Sequence, residues 1–430
     1  MTDMSPVRSV DVAVAGAGMT GLAAAIQLAD LGLKVEVLDQ FGMDLSRIDE
    51  QAGQIINGAF DSRVSALTLA SVQLLQSLGA WTHILGWRAE PYEKMHVWDG
   101  ESRGEVDFDC FDIHERQLGF IVENRLIVLG LLKAALERPH LQLNFASRIK
   151  TLGRFQNSSR LIELEDGDLL STQLVVGADG AHSNTRKQLG LATHEWDYGQ
   201  HAVVATLEMS QPHQHTCWQR FTEDGPLALL PLKTANASQV SLVWSTSPKH
   251  AAELLELDQE AFCAAVSFGS RNVLGKVVSA CGIQCVPLRQ RHAKHYAVDG
   301  GVLIGDAAHT IHPLAGQGVN LGFLDSAALH DVIEEAQMRR EKIGDTRVLK
   351  RYERSRQLSN LKMSAAMEGF RRLFAPQPAP VEWARSVGMR FFNRVEPIKQ
   401  HIMSEAMGIS GELPTRMRRS ASVSVDQRLN

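Results

Sequence analysis

The stretch VDVAVAGAGMTGLAAAIQLADLGLKVEVLD, residues 10–39, decides the fold of this chain. Its first valines alternate with small or acidic residues, as in a β-strand, and the alternation ends at Gly16. From Thr20 apolar residues recur at helical spacing as far as Gly32, and a second apolar run occupies residues 35–38. Because two parallel strands need a crossover helix between them, this pattern predicts a strand–helix–strand unit.

The turn between this strand and helix reads GAGMTG and matches the spacing GxGxxG. In that pattern Gly16 allows the tight turn, Gly18 lets a pyrophosphate approach the backbone, and Gly21 lets helix and strand pack closely. The helix start offers free N–H groups and partial positive charge to a phosphate. Asp39 ends the second strand, where an acidic residue would bind ribose hydroxyls. We therefore predict a dinucleotide site; a turn needed only for packing is the alternative, and the motif alone does not separate NAD from FAD.

The composition is that of an ordinary globular protein. The 430 residues carry 44 Lys+Arg and 49 Asp+Glu, for a net charge of −5, and 44% are hydrophobic. These values exclude collagen-like, disordered and polyelectrolyte classes, and a pI near 6.4 does not favour nucleic-acid binding. The five cysteines lack paired spacing, which indicates free thiols rather than a disulfide framework or a zinc site.

The chain also lacks the sequence features of targeting and membrane segments. Its first residues contain no apolar core of a signal peptide, and no apolar run reaches the roughly 20 residues of a membrane span. We expect a cytoplasmic protein that can contact the inner face of the membrane peripherally. Residues 381–403, in which Trp383, Val387 and Phe391 recur beside arginines, are a candidate contact surface. Packing of this segment on the protein itself or on a partner chain is an equal alternative.

Further elements follow from periodicity and turn residues. Residues 42–61 are expected to be irregular, and the chain beyond 338 helical. The pattern predicts helices at 65–78, 124–137 and 318–338, a hairpin over 161–172, four antiparallel strands between 198 and 247, and a buried parallel strand at 300–304.

Two more glycine motifs end strands, GADG at 177–180 and GDAAH at 305–309, the second followed by HPLAGQGVN at 312–320. A simple NAD dehydrogenase does not need all three motifs. Together they resemble the class A flavoprotein aromatic hydroxylases, the family of para-hydroxybenzoate hydroxylase. RVSAL at 63–67, LGFIVEN at 118–124 and the run from 305 to 322 are further similar to the ubiquinone-biosynthesis hydroxylases within that family, and the likeness covers about residues 9–410.

The resemblance implies an α/β fold with a Rossmann-like FAD-binding domain, an inserted antiparallel β-sheet substrate domain and a C-terminal helical region. The implied bounds are 1–80, 115–195 and 285–340 for the discontinuous FAD-binding domain, 81–114 and 196–284 for the substrate-binding domain, and 341–410 for the helical region. Residues 411–430 are expected to be a disordered tail.

The resemblance also implies a reaction. Such an enzyme uses NAD(P)H, FAD and O2, by way of a flavin C4a-hydroperoxide, to hydroxylate the ring of a polyprenylated phenol in ubiquinone biosynthesis. MHVWD at 95–99 and WDY at 196–198 favour the 2-polyprenylphenol hydroxylase that acts at ring C5, which we prefer. WQRFT at 218–222 favours the later 2-polyprenyl-3-methyl-6-methoxy-1,4-benzoquinol hydroxylase. Two further hypotheses are a catalytically silent scaffold of a ubiquinone-synthesis complex and a flavin dehydrogenase or oxidase without oxygen insertion.

By the same resemblance the cofactor residues divide among the motifs. The first motif would hold the ADP half of FAD, Asp179 and Gly180 would serve FAD and NADPH, and Asp306 would bind the ribityl chain. Arg63 would meet the flavin or pyrophosphate, with a surface salt bridge as its alternative role. The full predicted set is Gly16, Gly18, Gly21, Asp39, Arg63, Asn124, Asp179, Gly180, Asp306, Pro313, Gly316, Gln317, Gly318 and Asn320.

The histidines carry no prediction of chemistry. His309 and His312 are spaced as i, i+3 but lack a third ligand at metal spacing, so no metal site is predicted. Two further pairs, 213 with 215 and 292 with 295, are expected in solvent-facing loops. No residue is identified as a catalytic base.

Overall fold

The predicted strand–helix–strand unit is present at the start of the chain. The computed structural model describes residues 7–99, 104–310, 318–374, 399–400, 403–404, 407 and 412–418. Strand β1 (Arg8–Ala15) leads into helix α1 (Met19–Asp30), and β2 (Val35–Leu38) returns parallel to β1. Every residue of β2 is buried, as its apolar run indicates.

The other elements follow in chain order. The strands are β3 (Val64–Thr68), β4 (Ala89–Tyr92), β5 (Lys94–Asp99), β6 (Glu105–Asp109), β7 (Gly119–Glu123), β8 (Leu141–Asn144), β9 (Ile149–Gln156), β10 (Ser159–Leu164), β11 (Leu169–Gly177), β12 (Thr193–Met209), β13 (Thr216–Thr222), β14 (Gly225–Pro231), β15 (Gln239–Thr246), β16 (Val277–Ala293), β17 (Ala297–Val298), β18 (Gly301–Leu303) and β19 (His309–Thr310). The helices are α2 (Ile48–Asn57), α3 (Leu69–Ser77), α4 (Trp81–Trp87), α5 (Asn124–Leu136), α6 (Asn184–Gln188), α7 (Pro248–Glu256), α8 (Gln259–Gly269), α9 (Gly318–Met338) and α10 (Thr346–Phe374).

The first sheet has the strand order β17-β18-β11-β1-β2-β8. Strands β18, β11, β1, β2 and β8 run parallel, and the predicted hairpin β10–β11 extends one side with β9. Helices α1, α5 and α9 pack together over this sheet, and their apolar residues form the largest core cluster. The carboxyl ends of β1, β2 and β11 therefore meet at one edge, which is where ligands bind in open α/β sheets.

The second sheet has the order β19-β16-β12-β15-β14-β13-β5-β6 and is antiparallel except for the β13–β5 pair. Its four strands between 198 and 247 are those predicted, and the long strand β16 was not predicted. One face packs on α7 and α8. The opposite face packs on the third sheet, which has the order β3-β7-β4. The predicted α/β class with an inserted antiparallel sheet is confirmed.

Two predictions between residues 42 and 78 are wrong. The segment expected to be irregular contains helix α2, which has an acidic first turn at Asp49 and Glu50. The helix predicted from residue 65 is instead strand β3 followed by α3, because β3 pairs with β7 from a distant part of the chain. Thr68 separates the two by accepting a hydrogen bond from the N–H of Ser71 at the start of α3.

The prediction of a disordered tail is wrong for residues 412–418. Thr415–Met417 forms a short 3-10 turn, and Met417 is buried in the core of the first sheet and its helices. The N–H of Thr415 donates to Asp331 at 2.8 Å, and Arg416 pairs with Asp30 at 2.7 Å. No helix within the described residues is both long enough and apolar enough to cross a membrane.

Candidate functional site

The glycine turn after β1 has three glycines with three different surroundings. A methyl group on Gly16, whose φ is +103°, would lie 2.5 Å from the carbonyl oxygen of Ala178. One on Gly21 would lie 2.1 Å from the carbonyl oxygen of Gly16. One on Gly18 would meet no described atom within 4 Å. Gly16 and Gly21 thus allow close packing of the backbone, whereas Gly18 faces open space at the start of α1.

That open space is a cleft of about 740 Å³ at the carboxyl ends of β1, β2 and β11. Its volume falls in the range typical of small-molecule and cofactor sites. Of the residues predicted from the sequence it brings together Gly16, Gly18, Asp39, Arg63, Asp179 and Gly180.

Asp39 joins the end of β2 to the glycine turn. Its Oδ2 accepts from the N–H of Ala17 at 2.7 Å, and its Oδ1 accepts from the N–H of Phe41 at 2.9 Å. Each carboxylate oxygen has a second lone pair, so the side chain can accept hydroxyl groups from the cleft as well. Its partial exposure leaves that approach open.

Asp179 stabilises the turn after β11 by hydrogen bonding. Its Oδ1 accepts from the hydroxyl of Ser183, and its Oδ2 accepts from the N–H and the hydroxyl of Thr185 at 2.9 and 3.0 Å. Gly180 follows with a φ of +81°, in the left-handed region that favours glycine. The carboxylate therefore fixes the backbone that leads into α6 beside the cleft. A Ser and a Thr a few residues after an Asp are the sequence signal that could have indicated this role.

The Gly-Asp motif lies against the first glycine motif. Gly305 has a φ of +56°, and a methyl group on it would lie 3.1 Å from Oγ1 of Thr20 in α1. A methyl group on Gly322 of α9 would lie closer still, at 2.3 Å from the same Oγ1 atom. The first turn of α1, the turn at Gly305 and the start of α9 are therefore packed as one unit.

Asp306 is exposed to solvent, although protein atoms crowd its carboxyl group, and it does not line the described cleft. Burial raises the pKa of its carboxyl group, while the charges of His309 and Arg63 act in the opposite direction. The Arg63 side chain is itself exposed on the cleft. A carboxylate in this position is suited to accept hydrogen bonds from the hydroxyl groups of a ligand. These hydrogen bonds replace those that water would donate and bring no further charge to the site.

Two predicted asparagines are engaged with the protein. Asn124 accepts from the hydroxyl of Ser65 at 2.6 Å and begins α5. Asn320 is buried; its Oδ1 accepts from Thr68 and Ser71, and its Nδ2 donates to the carbonyl oxygen of Ala66 at 2.8 Å. Asn320 therefore joins α9 to β3 and α3. Gly318 is the first residue of α9, and the predicted residues Pro313, Gly316 and Gln317 lie outside the described residues.

The prediction of solvent-facing histidines is wrong for His213 and His292. His213 is buried, its Nδ1 accepts from the N–H of His215 at 3.1 Å, and its Nε2 lies 3.2 Å from the carbonyl oxygen of Leu232. Burial lowers the pKa of His213 to about 4, so the ring is neutral at pH 7. His292 is half-buried on β16, and its Nε2 contacts the hydroxyl of Tyr296 at 2.9 Å.

The buried carboxylate of Asp325 in α9 was missed by sequence reasoning. It contacts His309 at 2.5 Å and Arg356 at 2.7 Å. An acidic residue inside an apolar helical pattern is the signal that could have identified it, because buried charges require partners.

Comparison with known proteins gives consistent matches along the chain. A family model described as "FAD binding domain" matches residues 9–365. The ubiquinone biosynthesis monooxygenase COQ6 of Xenopus tropicalis is 35% identical, over 92% of this chain and 93% of that protein. The 3-demethoxyubiquinol 3-hydroxylase of Escherichia coli K12 is 34% identical, over 94% of this chain and 99% of that protein.

Solved structures share the fold. The p-nitrophenol 4-monooxygenase PnpA from Pseudomonas putida DLL-E4 superimposes with a TM-score of 0.75 at 15% identity, covering 94% of this chain and all of that one. PqsL of Pseudomonas aeruginosa, a probable FAD-dependent monooxygenase, gives a TM-score of 0.69 at 20% identity, covering 89% of this chain and all of that one.

Proposed function

This chain belongs to the FAD binding domain family, and we propose that it is an FAD-dependent monooxygenase of ubiquinone biosynthesis that hydroxylates the ring of a prenylated phenol or quinol. One observation carries the cofactor assignment: a cleft open at Gly18 lies where the first glycine turn meets Asp39, with the Gly305 turn packed on the same helix. The substrate class follows from the two ubiquinone-pathway relatives, which match almost the whole chain.

The residues that line the cleft fit FAD together with Asp306 and Asn124, which do not line it. The backbone at Gly18 and the free N–H groups that begin α1 would hold the pyrophosphate, since a helix start favours negative charge. Asp39 would accept the ribose hydroxyls through its remaining lone pairs, and Asp306 would accept hydroxyls of the ribityl chain. Arg63 would add positive charge beside the phosphates or the flavin. Asn124, Asp179 and Gly180 would shape the cleft through the elements that they begin or turn.

When bound, FAD would supply the redox chemistry, with NAD(P)H as the reductant and O2 as the source of one oxygen atom for the ring and one for water. The protein's share is placement and electrostatics. The open space at Gly18 would admit phosphate without steric conflict, while the absence of side chains at Gly16 and Gly21 allows the backbone of the turn to pack closely. The third sheet packs on the second sheet and contacts α3 and α9.

We propose that the second sheet carries the substrate, within a domain made of residues 81–114 and 196–284. The second sheet takes its strands from residues 94–109, 193–293 and 309–310, whereas the first takes its strands from residues 8–38, 141–177 and 297–303. The face of the second sheet toward the third is apolar, with Cys217, Ala228 and Leu230 buried. Because these side chains are packed against the third sheet, this proposal is supported by the separate origin of the two sheets in the chain.

Hydroxylation at ring C5 of a 2-polyprenylphenol is our first candidate. The later quinol hydroxylation is a second, and the Escherichia coli relative named for a ubiquinol-ring hydroxylation favours it. Because this relative and COQ6 are almost equally identical to the chain, product analysis has to decide. Purified protein offered a short-chain prenylphenol and a demethoxyubiquinol analogue should convert one of the two.

The reaction itself is tested with the purified holoprotein. We expect flavin absorption that NAD(P)H bleaches under nitrogen, and incorporation of one atom of isotopically labelled O2 into the product. Protein that neither contains FAD nor binds it on reconstitution would refute the cofactor assignment. Label absent from the product would favour a dehydrogenase or oxidase. Hydroxylation lost in Asp306→Asn while association with partner enzymes persists would exclude a silent scaffold.

Peripheral membrane contact and membership of a ubiquinone-synthesis complex are part of the proposal, since a prenylated substrate partitions into the bilayer. The candidate surface at 381–403 lies largely outside the described residues. Near its end, Lys399 pairs with Asp112 at 2.7 Å and Met403 is buried against the third sheet. This supports packing on the protein for that end, and vesicle co-sedimentation of the full chain would test contact by the rest.

A further inference from the structure

A single buried carboxylate connects three segments of the chain, which are the turn at residues 305–309, α9 and α10. Asp325 lies in α9 with no exposed surface. Its Oδ2 accepts from the N–H of Gly305 at 2.9 Å and lies 2.5 Å from Nε2 of His309. Its Oδ1 accepts from Nε of Arg356 at 2.7 Å and from Nδ2 of Asn360 at 3.3 Å, both in α10. Four donors from two different parts of the chain therefore share one carboxylate.

The charge of this carboxylate is stable. Burial alone would raise the pKa of Asp325, but the charges and hydrogen bonds of His309 and Arg356 hold it well below its ordinary range. Asp325 consequently stays ionised across the range in which the protein is handled, and its hydrogen bonds are charge-assisted. Arg356 is also fixed by Asn360, whose Oδ1 accepts from Nη2 at 2.7 Å.

Two of the four donors flank Asp306. Gly305 precedes Asp306 directly and has a left-handed backbone conformation, which the bond from its N–H to Asp325 holds in place. His309 follows at the other end of the same short turn, where β19 begins. Asp325 itself does not line the described cleft.

We infer that Asp325, held by Arg356, is a positioning residue that fixes the turn from Gly305 to His309 and so presents Asp306 to the cofactor. This inference rests on the proposed function for the identity of the cofactor. It assigns Arg356 an effect on cofactor binding although Arg356 reaches the turn only through the Asp325 carboxylate.

A general loss of stability is the competing explanation, and the chain offers a matched control. Glu353, also in α10, is a second buried carboxylate, and it accepts from the N–H groups of Tyr296 and Ala297 at 2.8 and 2.9 Å. It also pairs with Lys350 at 2.5 Å. Glu353 thus holds the start of β17 in the way that Asp325 holds the Gly305 turn, but it does not contact that turn.

The experiment compares the full-length wild type with Asp325→Asn, Arg356→Lys and Glu353→Gln. Each protein is freed of FAD, and FAD is titrated back while quenching of its fluorescence is followed. Hydrogen exchange of the FAD-free proteins is measured by mass spectrometry in peptides that cover 301–310 and 295–300. The exchange readout does not depend on activity or on the cofactor.

We expect Asp325→Asn to weaken FAD binding by roughly tenfold or more, because the amide cannot accept from all four donors. Arg356→Lys should weaken it less, since lysine keeps the charge but not the planar pair of contacts. Both variants should exchange faster at 301–310. Glu353→Gln should exchange faster at 295–300 and bind FAD within about twofold of the wild type, after correction for the unfolded fraction.

The inference is overturned if Asp325→Asn and Arg356→Lys keep wild-type FAD affinity and wild-type exchange at 301–310. It is also overturned if Glu353→Gln weakens FAD binding as much as they do. If Asp325→Asn does not fold, Arg356→Lys alone decides by the same two measurements. A wild type that does not bind FAD would refute the proposed function, and exchange at 301–310 would still decide whether Asp325 orders the turn.

Discussion

An added methyl group should have different effects at Gly18 and at Gly21 of the first glycine turn. At Gly18 it should weaken FAD binding, and at Gly21 it should lower the stability of the protein. Gly18 has φ −74° and ψ 176°, a conformation that alanine adopts freely, and no described atom lies within 4 Å of an added Cβ. Gly21 has helical backbone, but an added Cβ would lie 2.1 Å from the carbonyl oxygen of Gly16 and 3.2 Å from Cβ of Ala178. Gly18→Ala therefore tests phosphate binding, and Gly21→Ala tests packing.

The magnitudes follow from these distances. For Gly21→Ala, overpacking against backbone costs about 1–3 kcal/mol, and the higher helix propensity of alanine returns up to about 1 kcal/mol. We expect FAD-free Gly21→Ala to be less stable by about 1–2 kcal/mol. Gly18→Ala should change the stability of the FAD-free protein by less than about 0.5 kcal/mol. It should weaken FAD binding by at least roughly tenfold, because the methyl group occupies the path of the pyrophosphate to the backbone.

Urea unfolding of the FAD-free proteins, followed by tryptophan fluorescence, measures the first quantity, and FAD titration measures the second. The two variants control for each other, since each adds one methyl group to the same turn. Wild-type FAD affinity in Gly18→Ala would refute the assignment of this turn as the phosphate site. Wild-type stability in Gly21→Ala would refute the close approach of α1 to the turn.

Three other expectations follow from the site and its surroundings. Asp306→Asn should weaken FAD binding by roughly tenfold, because the neutral amide loses the charge-assisted hydrogen bonds that the carboxylate would accept from hydroxyl groups; FAD titration measures the change, and wild-type affinity would contradict this role. The neutral, buried His213 has a folded-state pKa of about 4, so the unfolded chain binds its proton first and stability falls as the pH drops from 6.5 toward 4. The free energy of unfolding falls by at most about 1.4 kcal/mol per pH unit. It should fall less steeply with pH in His213→Gln, as urea unfolding at several pH values would measure. Thiol labelling followed by mass spectrometry should modify Cys281 first and the buried Cys110 and Cys217 only on unfolding, and early labelling of either buried thiol would contradict the packing of the second and third sheets.

Local sequence patterns correctly predicted the strand–helix–strand unit that carries the first glycine turn. The alternation before Gly16, the helical spacing after Thr20 and the placement of Asp39 each depend on fewer than about 40 consecutive residues, which is the length of one strand–helix–strand unit. Helix α9 likewise has the predicted bounds, Gly318–Met338. Periodicity is informative where an element buries one continuous face against its neighbours in sequence.

The failures occur where distant parts of the chain decide the structure. Strand β3 has a pattern that also fits a helix, and its pairing with β7 settles the outcome. Strand β16 was missed because its register shifts at bulges, one of them beside Gly282 with a φ of +64°. Asp325 was missed because its partners Gly305 and Arg356 lie 20 and 31 positions away in the sequence.

The positions of these glycines are determined mainly by close contacts within the first sheet and its helices. The missing side chains of Gly16 and Gly21 face backbone atoms of the turns after β1 and β11, and that of Gly322 faces Thr20 of α1. A methyl group on Gly177 would lie 2.8 Å from Leu303 of β18. These four glycines therefore permit contacts between elements, and among the five only the missing side chain of Gly18 faces open space. Because most of the motif positions specify packing, the motifs identify the FAD-binding frame of the family, and the choice of ring substrate must depend on residues outside them.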